Sequence, residues 1–267
     1  MPNLQNFEER AIFLAAICGQ TYTQFENEDG SFVMPIGFTN IHTIRGKSFG
    51  DIWERFGFIL ESPQEIIIAF RGTSSAPNWV SDIIASQMRF KYLKEHVQTH
   101  RGFTNIYTST RGGILSTLAE LGADKALYIT GHSLGAALAT LCAIDVAANT
   151  AFGSPTLFNY GSPRVGNPEF SKAFSKHVPN SYRIANPLDI VTHAPPPIYK
   201  LPKREKKYYY SHVKTRSVLT FQNGAIGLNH VISSYFEELT KLKPDFAQRM
   251  CTANPGFCPA VKETILT

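Results

Sequence analysis

The stretch Gly131-His132-Ser133-Leu134-Gly135 decides the fold of this chain. The apolar run 126–129 precedes it and a segment of small and apolar residues, 136–142, follows it, which predicts a strand, a sharp turn and a helix. Gly131 and Gly135 let the helix pass close to the strand, because neither carries a Cβ atom. The turn therefore strains the backbone at Ser133 and points its hydroxyl over the carboxyl end of a sheet, where open α/β folds bind ligands.

The pattern G-x-S-x-G has a second interpretation, in which the serine only caps the helix that follows it. Given the usual frequencies of glycine and serine, the pattern arises by chance in roughly one chain in ten of this size. The context of the pattern, and further catalytic side chains in a suitable order, favour a serine nucleophile.

Length and composition bound the class of protein. The chain has 267 residues, of which 43% are hydrophobic and 18% charged, and a net charge of +5. We predict a single domain over residues 1–267, because neither a linker nor an internal repeat is visible. Strands and helices alternate through the middle of the chain, which predicts an α/β fold with a mainly parallel sheet covered by helices on both faces.

The positive charge does not indicate a nucleic-acid partner, since the basic stretch 200–210 is too short to form a sustained basic face. We interpret this stretch as a solvated loop that enters a strand, and contact with anionic lipid headgroups is the alternative. No apolar run approaches the roughly 18 residues of a membrane span, so we do not expect an integral membrane protein.

The apolar segment 11–18 follows acidic residues and lacks a cleavage site, which favours an amphipathic first helix over a signal peptide. The sequence leaves three localisations open: the cytoplasm, export by an unconventional route, or a leader outside this chain. Cys251 and Cys258 could close a small disulfide loop or stay reduced. Cys18 and Cys142 complete a set without paired C-x-x-C spacing, so we expect no metal site.

The periodicity of apolar residues predicts the elements around the serine turn. Strands are expected at 52–60, 65–70, 155–160 and 181–186, and helices at 103–121, 169–176 and 231–242. The alternating segment 213–221 is expected to form one arm of a hairpin. The chain after Pro244 is expected to be irregular.

A serine nucleophile needs a base and an acid, which follow it in the order serine, acid, histidine in folds of this kind. Asp189 comes directly after the predicted strand 181–186, although a turn or cap role is its alternative. Of the later histidines, His193 is too near Asp189 and His212 lies in a predicted strand. His230 precedes the last helix in a loop, so we predict that it is the base.

An acyl-transfer site also needs donors for the oxyanion. The backbone N–H of Leu134, directly after the serine, is one candidate. Thr73 follows the buried strand 65–70 and offers both a backbone N–H and a hydroxyl. The alternative is that the segment 71–75 is only a polar turn.

Several motifs together resemble the class 3 lipases, the fungal lipase family of the Rhizomucor type, over about residues 50–240. The motifs are Ala69-Phe70-Arg71-Gly72-Thr73, Asn78-Trp79, His100-Arg101-Gly102-Phe103, the serine turn, the segment 160–167 and Asp189-Ile190-Val191 with its prolines. The resemblance implies an α/β-hydrolase fold, hydrolysis of triacylglycerol or related carboxylesters, and no metal or organic cofactor. It also implies a triad of Ser133, Asp189 and His230 with an oxyanion hole from Thr73 and Leu134.

The resemblance further implies a short helical lid over the site, at residues 74–84, that opens on a lipid surface. Its apolar residues are Ala76, Trp79, Val80, Ile83 and Ile84. The chain departs from the family at two points: Thr73 stands where many fungal members have serine, and the residues flanking His230 lack the pattern of the secreted fungal enzymes.

Two groups of rival functions share these observations. Phospholipase A1, monoacylglycerol lipase and feruloyl-type esterase activities would use the same triad and differ in acyl pocket and lid. A catalytically silent hydrolase fold that binds lipid or protein is the non-enzymatic alternative, and an incomplete triad would distinguish it.

Overall fold

The computed structural model describes residues 6–73, 86–200, 205–213 and 216–260. The strands are β1 (Thr39–Lys47), β2 (Trp53–Glu61), β3 (Glu65–Phe70), β4 (Gln87–Arg89), β5 (Gln98–His100), β6 (Ala126–His132), β7 (Thr156–Tyr160), β8 (Ser181–Ala185), β9 (Ile198–Lys200), β10 (Lys207–Tyr209) and β11 (Arg216–Val218). The helices are α1 (Phe7–Glu26), α2 (Arg101–Ala119), α3 (Leu134–Asn149), α4 (Pro168–His177), α5 (Ile232–Thr240) and α6 (Pro244–Ala253), with a 3-10 turn at Ile190–His193.

A seven-stranded sheet with the order β1-β2-β3-β6-β7-β8-β11 forms the centre of the described chain. The five strands from β3 to β11 run parallel, and β1 and β2 add an antiparallel edge. Residues 66–70 of β3 are all buried, as expected for a strand covered on both faces. This confirms the predicted α/β fold with a mainly parallel sheet.

The first helix is buried on nearly all sides instead of being amphipathic. Residues 10–21 of α1 are all buried, and the helix packs against α5, β2 and β3. Arg10 is tolerated there because it forms an ion pair with Glu65 at 2.9 Å and lies over the ring of Tyr128.

Among the described helices, none combines the length and apolar character of a membrane span.

Two expectations for the C-terminal part of the chain were wrong. The segment 216–218 pairs in parallel with β8 and is not a hairpin arm. Alternation along a strand shows that one face is buried, but it does not distinguish a parallel from an antiparallel neighbour. The segment after Pro244 is helical over Pro244–Ala253, with the proline in the first helical turn, where its missing N–H costs nothing.

A disulfide closes a short loop at the end of α6. Cys251 and Cys258 are bonded, which decides between the two states that the sequence left open. Phe246, Met250 and Phe257 lie in the same buried cluster as α1. The short cross-linked loop thereby keeps the C-terminal segment against the first helix.

We expect the double variant Cys251→Ala/Cys258→Ala to lose about 2–3 kcal/mol of the free energy of unfolding, because the unfolded chain gains the entropy of an open loop. Urea unfolding with and without dithiothreitol measures this loss of unfolding free energy. The reductant should destabilise the wild type by a similar amount and leave the double variant unchanged. A reductant effect of equal size in both proteins would contradict this role for the disulfide.

Candidate active site

The turn between β6 and α3 holds Ser133 in a strained backbone conformation, with φ 59° and ψ −127°. A Cβ at Gly131 would lie 2.2 Å from the carbonyl oxygen of Gly135, and a Cβ at Gly135 would lie 2.2 Å from that of Phe70. Both distances are far below van der Waals contact, so only glycine fits. The two glycines therefore let α3 start directly above β6 and β3, with Ser133 at its N-terminus.

The structure brings the three predicted triad residues into one chain of hydrogen bonds. The Oγ of Ser133 lies 2.8 Å from Nε2 of His230, and Nδ1 of His230 lies 2.8 Å from Oδ2 of Asp189. All three residues are buried. An imidazole between a hydroxyl and a carboxylate can accept the hydroxyl proton while the carboxylate holds the ring and stabilises its charged form.

Asp189 is held by donors from two further elements. Its Oδ1 accepts the backbone N–H of Val191, so the carboxylate also caps the 3-10 turn, and its Oδ2 accepts the hydroxyl of Tyr235 at 2.8 Å. The same tyrosine oxygen accepts the N–H of Asn186. Burial and the neighbouring Asp189 raise the pKa of Tyr235 well above its ordinary value, so the phenol keeps the proton that it donates.

The histidines rejected as the base, and the buried Asp145, lie elsewhere. His193 bonds to the carbonyl of Pro187, and His212 bonds to that of Thr192. Asp145 is buried behind the turn, where it accepts hydrogen bonds from Arg111 and Tyr107. None of these recorded contacts reaches Ser133.

The loop after β3 lies directly beside the serine turn. A Cβ at Gly72 would lie 2.9 Å from the Cβ of Ser133 and 2.3 Å from the hydroxyl of Tyr22, so the loop backbone passes close to Ser133. Thr73 follows, and its hydroxyl is buried without a hydrogen-bond partner in the described part of the chain. The backbone N–H of Leu134 opens α3 and has no carbonyl in its own helix to bond. These groups provide donors beside Ser133.

The side chain of Arg71 holds the loop after β3 in place. Its guanidinium donates to the backbone carbonyls of Gly72 and Arg55, and it forms an ion pair with Glu54 at 2.9 Å. The ring of Phe25 lies 3.7 Å below it. A planar guanidinium with these partners holds the loop in one geometry, which an oxyanion site requires.

A chain of buried hydrogen bonds connects the loop after β3, which contains Gly72, with the loop that carries His230. Burial, and the neighbouring His230, lower the pKa of His132 well below its ordinary value, so its ring is neutral. Its Nε2 lies 2.6 Å from the backbone carbonyl of His230, which only accepts, so Nε2 is the donor. Nδ1 then accepts the hydroxyl of Tyr22 at 2.7 Å, and Tyr22 also bonds to the backbone of Gly72.

Sequence reasoning missed three of these supporting residues. The sequence pattern assigns no supporting role to Tyr22, His132 or Tyr235. Each acts through a contact with a residue distant in the chain, for which a single sequence carries no local signal. The predicted lid, 74–84 with Ala76, Trp79, Val80, Ile83 and Ile84, lies outside the described residues.

A serine, histidine and aspartate in this geometry, on a parallel α/β sheet, define a protein of the α/β-hydrolase class. Residues 67–199 match the family described as Lipase (class 3), and the chain belongs to this family. It is 33% identical over 156 residues to a lipase of Rhizomucor miehei, which covers 56% of this chain and 42% of that protein.

Two further comparisons extend this result. The chain is 33% identical over 157 residues to phospholipase A1-II 1 of Oryza sativa, covering 49% of this chain and 40% of that protein. The solved structure of lipase II from Rhizopus niveus matches with a TM-score of 0.61 and 27% identity, over 71% of this chain and 75% of that one. The chain thus spans only about two fifths of the length of these two curated relatives.

Histidines whose pKa is lowered by burial make stability depend on pH, and His212 is one of them. His100 and His132 are each 2% exposed, and burial lowers the pKa of His100 from 6.5 to about 3. Below pH 6.5 the unfolded chain binds protons that the folded chain does not, so the free energy of unfolding falls as the pH falls. We expect His100 alone to contribute a loss of about 2 kcal/mol between pH 6.5 and pH 5, and His132 adds to the loss in the same direction.

Urea unfolding at the two pH values tests this expectation in the wild type and in His100→Asn. The asparagine keeps an oxygen that can accept the N–H of Phe103, as His100 does at the start of α2, but it does not titrate. The variant should therefore lose about 2 kcal/mol of the fall in unfolding free energy between the two pH values. An unchanged pH dependence in His100→Asn would show that His100 titrates normally in the folded protein.

Proposed function

We propose that this protein is a serine carboxylester hydrolase that cleaves triacylglycerol at a lipid–water interface through an acyl-enzyme on Ser133. The observation that carries the proposal is the chain of hydrogen bonds Ser133–His230–Asp189, with both links at 2.8 Å. Class 3 lipase membership supports a lipid ester as substrate. No residue of this chain of bonds is missing, which argues against a silent lipid-binding module.

The first half of the reaction forms the acyl-enzyme. Nε2 of His230 accepts the proton of the Ser133 hydroxyl while Oγ attacks the ester carbonyl carbon. Asp189 orients the ring and stabilises the imidazolium that results. The carbonyl oxygen becomes an oxyanion, for which the N–H of Leu134 and the N–H and hydroxyl of Thr73 are the proposed donors. When the tetrahedral intermediate collapses, His230 returns the proton to the leaving alcohol.

The second half hydrolyses the acyl-enzyme. Water takes the place of the alcohol, His230 removes one of its protons, and the resulting oxygen attacks the acyl carbon. The same donors stabilise the second oxyanion. Release of the fatty acid restores the hydroxyl of Ser133, because His230 returns the proton to Oγ. Every proton that leaves Ser133 or water passes through the one imidazole.

A second candidate is phospholipase A1 activity on the same triad, which the similarity to the Oryza sativa protein favours. The chemistry at the ester would be unchanged, and the alcohol released would carry a phosphate headgroup. Hydrolysis of phosphatidylcholine alongside emulsified triacylglycerol distinguishes the two candidates. Monoacylglycerol and feruloyl esters complete the panel.

We expect Ser133→Ala and His230→Ala each to lower kcat on p-nitrophenyl esters and emulsified triacylglycerol by about 10⁴-fold or more, because either change removes nucleophilic attack. Circular dichroism and thermal unfolding serve as folding controls. His193→Ala is the matched histidine control and should keep wild-type turnover. Wild-type protein without activity on any ester would contradict the proposal, and activity surviving in His230→Ala would move the base elsewhere.

The hydroxyl of Thr73 gives a separate test of the oxyanion site. We expect Thr73→Val to lower kcat on a dissolved ester by about 100-fold with little change in KM, because the lost donor acts on the transition state. Thr73→Ser keeps the hydroxyl and is expected to stay near wild type. A wild-type kcat in Thr73→Val would show that the hydroxyl of Thr73 does not stabilise the oxyanion.

A further inference from the structure

The turn between β1 and β2 exposes large apolar side chains to solvent. Phe49, Ile52 and Trp53 are 52%, 63% and 55% exposed. Single exposed apolar residues are normal on a protein surface, but clusters of large ones mark sites of interaction. We call residues 47–53 the β1–β2 tip.

The strand register places the β1–β2 tip and Ser133 at the same end of the strands, the carboxyl end of β3 and β6. β2 runs antiparallel to β3, and Gly57 lies opposite Phe70, the last residue of β3. Residues before Gly57 therefore extend past the carboxyl end of β3, and Trp53 lies about 13 Å beyond the level of Phe70 at 3.3 Å per residue. Phe70 is also level with Gly131, so Ser133 lies only about 7 Å beyond it on the same scale. The tip projects further than the nucleophile.

Other exposed apolar residues lie around the site at this end of the strands. Leu188 and Ile190, on either side of the triad aspartate, are 44% and 40% exposed. Ile226 and Val231, in the segment that carries the triad histidine, are 60% and 37% exposed. The tip and these residues therefore lie at the same end of the parallel strands, which a substrate must approach.

The chemistry of the tip suits a lipid surface. Its apolar groups lie on a hairpin end that projects outward, a shape that inserts into a surface. The indole of Trp53 is amphipathic, and such rings favour the boundary between lipid and water. The ring of Phe49 packs against Gly102, and the neighbouring Arg101 is exposed and positive, which favours anionic headgroups. Asp51 is paired with Lys47 at 3.0 Å.

We propose that the β1–β2 tip inserts Ile52 and Trp53 into a lipid surface and so holds the Ser133 end of the molecule against it. The proposal rests on the proposed function, because it takes the ester substrate to be presented by that surface. The tip is separate in the chain from the segment 74–84. It is thus a second, independent contact, which acts on docking and takes no part in the chemistry.

Binding to vesicles made of equal parts phosphatidylcholine and phosphatidylglycerol tests the proposal in a Ser133→Ala background, so that hydrolysis does not alter the lipid. We expect Ile52→Ser/Trp53→Ser to weaken vesicle binding by about ten-fold or more, because two apolar side chains no longer insert. The matched control is Ile36→Ser. Ile36 is 62% exposed. It precedes β1 at the opposite end of the strands, where Thr39 pairs with Glu61.

Trp53 provides a second readout that needs no change at the tip. The chain has two tryptophans, so Trp79→Phe leaves Trp53 as the reporter. Its emission should shift to the blue on vesicle binding and be quenched by lipids brominated on the acyl chain. Equal vesicle affinity of the tip and control variants, or unchanged Trp53 emission with bound vesicles, would overturn the proposal. Because vesicle binding is measured without turnover, its failure is distinct from an absence of esterase activity.

Discussion

The close approach of α3 to the backbones of β6 and β3 is the constraint on which the rest of the structure depends. At Gly131 and Gly135 the chains come so near that any side chain would overlap a backbone carbonyl. This approach forces Ser133 to a positive φ of 59°, a conformation that costs free energy for a residue with a Cβ. The buried packing of α3 against the sheet offsets that cost. The backbone strain at Ser133 and the position of its side chain thus have a single cause.

The second organising feature is a set of buried polar groups that satisfy one another. A carboxylate such as that of Asp189 is costly to bury unless donors surround it. The N–H of Val191 supplies one donor from the adjacent 3-10 turn, and His230 and Tyr235 supply the others from the segment around the start of α5. His132 in turn holds the backbone of His230. Stability and the geometry of the site are therefore coupled, because removing one partner leaves another buried group without a hydrogen bond.

The sequence predicted the features that local pattern determines. The glycine spacing and the flanking apolar runs identified the serine turn, and chain order selected Asp189 and His230. In the structure His230 bonds to Ser133, and Asp189 bonds to His230. Partners set by tertiary contact were not predictable, since Tyr22 meets His132 across 110 positions of the chain. The helix Pro244–Ala253 was missed because its stability comes from packing on α1 and from the disulfide that closes behind it. Alternation at 213–221 identified an exposed face but not the parallel partner strand.

The central claim is that this geometry makes Ser133 a nucleophile, and covalent labelling tests it most directly. The native protein would be treated with diethyl p-nitrophenyl phosphate, a phosphoryl ester whose adduct mimics the tetrahedral intermediate, and then analysed by peptide mass spectrometry. The account predicts one stoichiometric diethylphosphoryl group on Ser133, with release of p-nitrophenol, and no labelling after denaturation. Labelling at another serine, or an unmodified Ser133 in folded protein that has been shown to admit the reagent, would contradict it.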